Sequence, residues 1–300
     1  MRRIVYVMNH QNHLPYLVVS LRSLRDHWHG PVTVHAWSAA DGHQGAYDIA
    51  KRIGEDSNLD IVVKERVPIR RGRNDQFEDK QLVMQKGIAG FDELLYLDAD
   101  TIIRGSLDPL FDEAEKSGFV CTQFCEWVST GGIISGRVKK LRDYPEINQK
   151  HVESLLTTKW PSVNGGIFAC RPDSPVLPLW HEWTKIARKI FIADETVLHT
   201  MMLEFGPKGQ LGVATGGKWN CSPIKKYRPK GLADEDVIVW HFHGDSATRF
   251  EKSPEGVAMW WAEYQGCLRD NVGGIAEWRP KIHYKHLDQC ERDVSERMCG

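Results

Sequence analysis

Asp98 and Asp100 stand one residue apart at the end of the apolar run Leu94-Leu95-Tyr96-Leu97, with Thr101-Ile102-Ile103 following. In extended chain, residues i and i+2 point to one face, so the two carboxylates can converge on a single cation. Carboxylate oxygens suit hard divalent ions such as Mg²⁺ or Mn²⁺, which keep positions open for substrate phosphates. The apolar residues anchor such a site in a core, and the turn exposes it at the carboxyl end of a strand, where open α/β sheets bind ligands. An acidic pair on a solvated turn does no chemistry, so the rest of the chain must complete the site.

The second half supplies candidates. Val237-Ile238-Val239-Trp240-His241-Phe242-His243-Gly244 is a β-rich run in which alternation puts His241 and His243 on one side. A neutral imidazole is a good Mn²⁺ ligand beside carboxylates; equally, either histidine can cap the strand through backbone hydrogen bonds. Residues 159–168 read as a polar turn feeding a strand, and Gly165 and Gly166 would let a ligand approach the backbone. Asp194-Glu195-Thr196 opens a helix whose Val197, Leu198, Met201 and Met202 face inward. Asp194 is either an N-cap, which propensity favours, or a carboxylate aimed at a substrate.

The elements that must position these groups alternate. Residues 3–8, 32–37 and 59–64 read as strands, and 118–124 as a buried strand. Helical spacing follows Pro15 (Leu17, Val18, Leu21, Leu24) and recurs over 46–53 and 77–88, with a basic loop at Arg70-Arg71-Gly72-Arg73. This order predicts an α/β fold with a mostly parallel central sheet flanked by helices. No Gly-x-Gly-x-x-Gly or Walker-type loop follows the first strand, which argues against dinucleotide and P-loop folds. A composition shift near Glu251 separates a main domain, 1–250, from a C-terminal extension, 251–300, with a Trp-rich helical stretch and a polar tail.

A net charge of −1 over 300 residues leaves no basic field of the kind nucleic-acid binders show. No apolar stretch is long enough to span a bilayer, and the run after Arg2-Arg3 is too short for a signal peptide, so a cytoplasmic protein is expected. Seven scattered cysteines point to reduced thiols, with Cys121 and Cys125 in a core rather than on zinc. Eleven tryptophans are compatible with carbohydrate handling, although most should pack in the core. The basic, aromatic run 278–286 would suit weak peripheral contact with an anionic membrane, or simply be part of a solvated end, which the acidic residues after it favour.

Taken in order, these motifs resemble the GT-A glycosyltransferases of family 8, the group of glycogenin and the bacterial lipooligosaccharide galactosyltransferases, from about Arg3 to Gly244. His13-Leu14-Pro15-Tyr16-Leu17 resembles the first loop and helix, and Lys80 lies where the family has a lysine upstream of its metal motif. Leu95-Tyr96-Leu97-Asp98-Ala99-Asp100 is close to that motif, Asn164-Gly165-Gly166 resembles an Asn-Ser-Gly turn, Asp194-Glu195 an Asp-Gln pair, and His241-Phe242-His243-Gly244 a His-Phe-x-Gly segment.

The resemblance implies transfer of a sugar from a nucleotide diphosphate donor, usually a UDP-sugar, to a glycan or other hydroxyl acceptor, with Mn²⁺ (or Mg²⁺) and retention at the anomeric carbon. Asp98, Asp100 and His241 would hold the metal. Lys80, Asn164 and Asp194 would serve the reacting centre. Asn9, His10 and Asn12, with Lys80, Asp98, Ala99, Asp100, Gly165, Gly166, His243, Gly244 and Arg249, would bind the donor. One position departs from the pattern: where the family has a lysine gripping the diphosphate, this chain has Ala247, leaving Arg249 or His243 to contribute. That departure keeps open a nucleotide-sugar or glycan binder without turnover. Asp98-Ala99-Asp100-Thr101 also matches, superficially, the haloacid-dehalogenase phosphatase motif, but that motif sits on a first strand and needs a later acidic pair.

Overall fold

A computed structural model of the chain describes residues 1–8, 11–37, 46–56, 61–66, 78–129, 132–243, 246–249, 252–282 and 284–299. Nine strands are present among them: β1 (Arg2–Val7), β2 (Val32–Trp37), β3 (Ile61–Arg66), β4 (Glu93–Leu97), β5 (Thr101–Ile103), β6 (Phe119–Trp127), β7 (Pro161–Cys170), β8 (Gly212–Ala214) and β9 (Val239–His241). Seven form one sheet in the order β3-β2-β1-β4-β7-β6-β8. Every neighbouring pair in it is parallel except those made by β7, which runs antiparallel to both β4 and β6. The mostly parallel α/β sheet expected from the sequence is therefore present.

Alternation along the strands explains the two layers of helices. Ile4 and Tyr6 of β1, Leu95 and Leu97 of β4, and Ile167 and Ala169 of β7 join one buried cluster. Val5, Leu94, Tyr96, Phe168 and Cys170 join another on the opposite face. The first cluster is covered by α1 (Leu14–Leu24), α2 (Ala46–Asp56), α4 (Asp108–Ser117), α9 (Pro254–Arg269), α10 (Ile275–Trp278) and α11 (Lys285–Cys299). The second is covered by α3 (Asp79–Lys86), α5 (Gly132–Lys139), α6 (Gln149–Thr157), α7 (Val176–Ile186) and α8 (Ala193–Phe205). Helix ends follow local chemistry: Ser253 Oγ accepts the Gly256 N–H at 3.1 Å, with Pro254 opening α9.

Three local readings change. The turn expected to feed a strand within 159–168 is shorter than expected: β7 begins at Pro161 and carries Asn164-Gly165-Gly166 within it. Opposite β6 the register jumps from Cys121↔Phe168 to Thr122↔Asn164, so residues 165–167 bulge out of the ladder. Asp194 is not an N-cap either; Ile192 holds that position with φ 56°, and Asp194 is already inside α8. Finally, the end of the chain is folded rather than a solvated tail: Trp278 is buried, and Arg279 is ion-paired to Asp288 and Glu291 of α11. Those two residues therefore face the protein, which corrects the expectation of a membrane-contacting run. No helix among the described residues is long and apolar enough to cross a membrane.

Candidate metal centre and cleft

β4 ends at Leu97, and the chain turns through Asp98-Ala99-Asp100 into β5. A chain of buried hydroxyls pins that turn. The Thr101 hydroxyl donates to the Asp98 carbonyl at 2.9 Å, Ser20 Oγ lies 2.8 Å from Thr101 Oγ1, and Tyr6 Oη lies 3.0 Å from Ser20 Oγ. With the Thr101 proton committed, Ser20 must donate to Thr101 and Tyr6 to Ser20. The ribbon β5-β9 then sets the third group: Thr101 pairs with His241, and the Phe242 N–H donates to the Asp100 carbonyl at 2.8 Å.

His241 Nε2 lies 3.3 Å from Asp100 Oδ1 and 3.5 Å from Asp98 Oδ2. One ligand atom from each of the three residues falls within 4.8 Å of the others. His241 Nδ1 lies 2.9 Å from Asn220 Oδ1 and donates to it, so Nε2 is the ring nitrogen turned to the two carboxylates: protonated it faces them as a donor, and with that proton gone its lone pair is free for a cation. Burial pushes His241 down, but the Asp100 and Asp98 carboxylates override it and the pKa is raised. Burial likewise opposes ionisation of Asp100, yet the His241 ring holds its pKa at about 2. The arrangement gathers positive charge at its centre, and a hard divalent ion fits its two oxygens and one nitrogen.

The bulge in β7 closes in from the side. The Asp98 N–H donates to the Gly166 carbonyl at 2.7 Å, and the Gly166 N–H to Asn164 Oδ1 at 2.6 Å. A Cβ on Gly166 would lie 2.5 Å from Asp98 Oδ2 and collide with His241. Glycine is required here by close approach, since neither Gly165 nor Gly166 has a positive φ. Tyr96 donates to Asp98 Oδ1 at 2.6 Å, which leaves Oδ2 facing His241.

Beyond Asp98 lies a run of paired charges. Lys80 Nζ is 2.6 Å from Asp194 Oδ2, with both side chains buried. Asn164 Nδ2 donates to Glu195 Oε2 at 2.6 Å, and Arg137 to Glu195 Oε1 at 3.0 Å. Burial raises the Glu195 pKa against the opposing pull of Arg137. Asp194 Oδ1 has no hydrogen-bond partner among the described residues.

These groups line one cleft of about 1060 Å³. It contains Lys80, Asp98, Ala99, Asp100, Asn164, Gly165, Gly166, Asp194, His241 and His243 of the residues singled out in the sequence. His243 packs edge-on to Phe124 at 4.5 Å, and burial pushes its pKa down to about 3, so it is neutral. Asn12 and Arg249 are half-buried and do not line the cleft, whereas Lys252 does. Ala247 is fully buried in the core, so that position offers no charge. Asn9, His10 and Gly244, like the basic loop 70–73, lie outside the described residues. Among the described residues no tryptophan lines the cleft; tyrosine, phenylalanine and histidine rings do.

Nothing in the sequence marked Asn220, Arg137, Tyr16 or Tyr284 as part of the site, although Tyr16 lies in the segment 13–17 and Tyr284 in the aromatic run 278–286. Tyr96 carried a weak signal, sharing a strand face with Asp98. The others come from loops and helices far away in the chain, with no local pattern to mark them.

The mostly parallel sheet with one reversed strand and flanking helices is a GT-A fold, the fold of the solved glycosyltransferases that the chain resembles. Among solved structures, the galactosyltransferase LgtC in complex with donor and acceptor sugar analogues matches with TM-score 0.61 at 16% identity, covering 93% of this chain and 100% of its own. The glycosyltransferase GlyE of Streptococcus pneumoniae TIGR4 matches at 0.59 and 13% identity, over 93% of this chain and 63% of its own. The apo form of mouse xyloside xylosyltransferase 1 matches at 0.54 and 12% identity, over 82% and 98%. In sequence, no family profile and no curated protein matches the chain.

Proposed function

We propose that this protein transfers a sugar, with retention, from a nucleotide diphosphate donor such as a UDP-sugar to a hydroxyl of a glycan or other acceptor. The observation that carries the reading is the Asp98, Asp100 and His241 group, with its imidazole oriented by Asn220, at the base of a cleft of about 1060 Å³. A bound Mn²⁺ or Mg²⁺ would supply Lewis-acid neutralisation of the departing diphosphate. Lys80, held against Asp194 and within electrostatic reach of Asp98, would add positive charge to help stabilise the departing diphosphate. Asn164, Asp194 and the Arg137–Glu195 pair offer both donors and acceptors to sugar hydroxyls. Gly165 and Gly166 keep the backbone low enough for the sugar to pass. Ile133 and Phe191, both more than half exposed, border the same end and give an acceptor an apolar lip.

A panel of nucleotide sugars, each with Mn²⁺ or with EDTA, tests the proposal through nucleoside diphosphate release. One donor should be consumed with Mn²⁺, and chelation should abolish its consumption; absence of release from every donor rejects transfer. Ala247 in the core favours a second reading, a binder without turnover. Calorimetric binding with no released diphosphate would identify it. Asn220→Ala should leave the fold intact but weaken Mn²⁺ binding by about tenfold, because the imidazole loses the acceptor that fixes its tautomer. Unchanged Mn²⁺ affinity in that variant would remove Asn220 from the site.

A further inference from the structure

The cleft around the two carboxylates is lined by two kinds of surface. Asp98 adjoins Tyr96 and Gly166, next to the Lys80–Asp194 ion pair and the Asn164–Glu195 hydrogen bond. Asp100 shares the cleft with a tyrosine pair, Tyr16 and Tyr284. The buried Tyr16 phenol is kept protonated first by burial and then by Tyr284, with Asp100 also contributing, which places both groups within electrostatic reach of it. The Tyr16 and Tyr284 rings meet edge-on with centroids 6.2 Å apart, and both line the cleft.

Tyr284 is delivered by the C-terminal segment and is held there firmly. Ile282 before it and Leu287 after it are buried in the main core, and the Asp288 N–H donates to the Tyr284 carbonyl at 2.9 Å. Arg279 ties the preceding turn to Asp288 and Glu291. Tyr16 in turn packs on Trp260 of α9, with centroids 5.3 Å apart. Two helices of the C-terminal segment thus support one aromatic corner beside Asp100.

A diphosphate held at the metal group carries a hydroxyl-rich sugar at one end and a flat nucleoside at the other. The hydrogen-bonding groups of Lys80, Asp194, Asn164 and Glu195 suit the first, and the rings of Tyr16 and Tyr284 suit the base of the second. We infer that Tyr284, braced against Tyr16, forms the wall on which the donor's nucleoside lies, so the C-terminal segment is a working part of the donor site. This rests on the nucleotide-sugar reading above.

Calorimetric titration of the full-length protein with Mn²⁺ and uridine or guanosine diphosphate, with inorganic pyrophosphate as a base-free control, tests it. Tyr284→Leu keeps apolar bulk and removes the aromatic face; Tyr284→Phe keeps the face. The Leu variant should bind the preferred nucleotide about tenfold more weakly while holding pyrophosphate as the unsubstituted protein does, and the Phe variant should retain nucleotide affinity. Equal losses for nucleotide and pyrophosphate, or no loss for either, overturn the inference while leaving the metal centre intact. If the unsubstituted protein binds pyrophosphate but no nucleotide, Tyr284 has no nucleoside to meet and the inference fails. If it binds none of the three, the nucleotide-sugar reading fails with it.

Discussion

Asp100→Asn should lower nucleoside diphosphate release from the donor by at least about a hundredfold, the scale of losing one group from a preorganised charge-stabilising site. The carboxamide keeps an oxygen but not its charge, and the cation loses an anionic ligand. His241 also loses the carboxylate that most favours its charged form, while burial continues to favour the neutral ring. The fold should survive, because the Asp100 side chain is about a third exposed and its backbone carbonyl still receives the Phe242 N–H. Stability provides an independent check. Saturation of the unsubstituted protein with Mn²⁺ at a hundred times its dissociation constant should add about 2.7 kcal/mol, and Asp100→Asn should erase most of that increment. Thermal denaturation with and without Mn²⁺ reads the increment, and turnover reads the rate. An Asn variant that keeps both would exclude Asp100 from the metal centre.

The parts of the site visible in the sequence are those where one short segment carries both the structural cause and the chemistry. The apolar run 94–97 announces a strand, and Asp98 and Asp100 follow at its end, so position and ligand type were read together. His241 was visible for the same reason, at the end of β9. Asn164-Gly165-Gly166 shows how local propensity misleads: Asn and Gly favour turns, yet this segment is a strand. What decides is the space beside Asp98 and His241, where a Cβ cannot fit. Asp194 looked like a cap because Asp commonly caps helices; Ile192 in the left-handed region takes that place, and Lys80 claims the carboxylate. The polar, charged end of the chain gave no sign that Arg279 would find Asp288 and Glu291 within its own segment, nor that Tyr284 would meet Tyr16. Those contacts depend on how the helices dock, which periodicity does not specify.

The Lys80–Asp194 pair lets stability and chemistry be separated. Both side chains are buried, and the contact is 2.6 Å. Burial pushes the Lys80 pKa down, but Asp194 and Asp98 more than restore it, so the ammonium persists inside the protein. Lys80→Met strands a buried carboxylate, which should cost about 3–5 kcal/mol in urea denaturation. Asp194→Asn should cost less, because Asp98 still faces the ammonium and the Tyr96 ring lies 5.6 Å from it. The double variant removes both charges and should recover most of the stability lost in Lys80→Met, giving a large positive coupling between the two sites. Turnover should not recover, because the leaving diphosphate then lacks the lysine's charge and the sugar lacks the aspartate, a loss of at least about a hundredfold. Restoration of both stability and turnover in the double variant would make the pair a structural brace alone. Failure to restore stability would show that Lys80 and Asp194 are held by other partners rather than by each other.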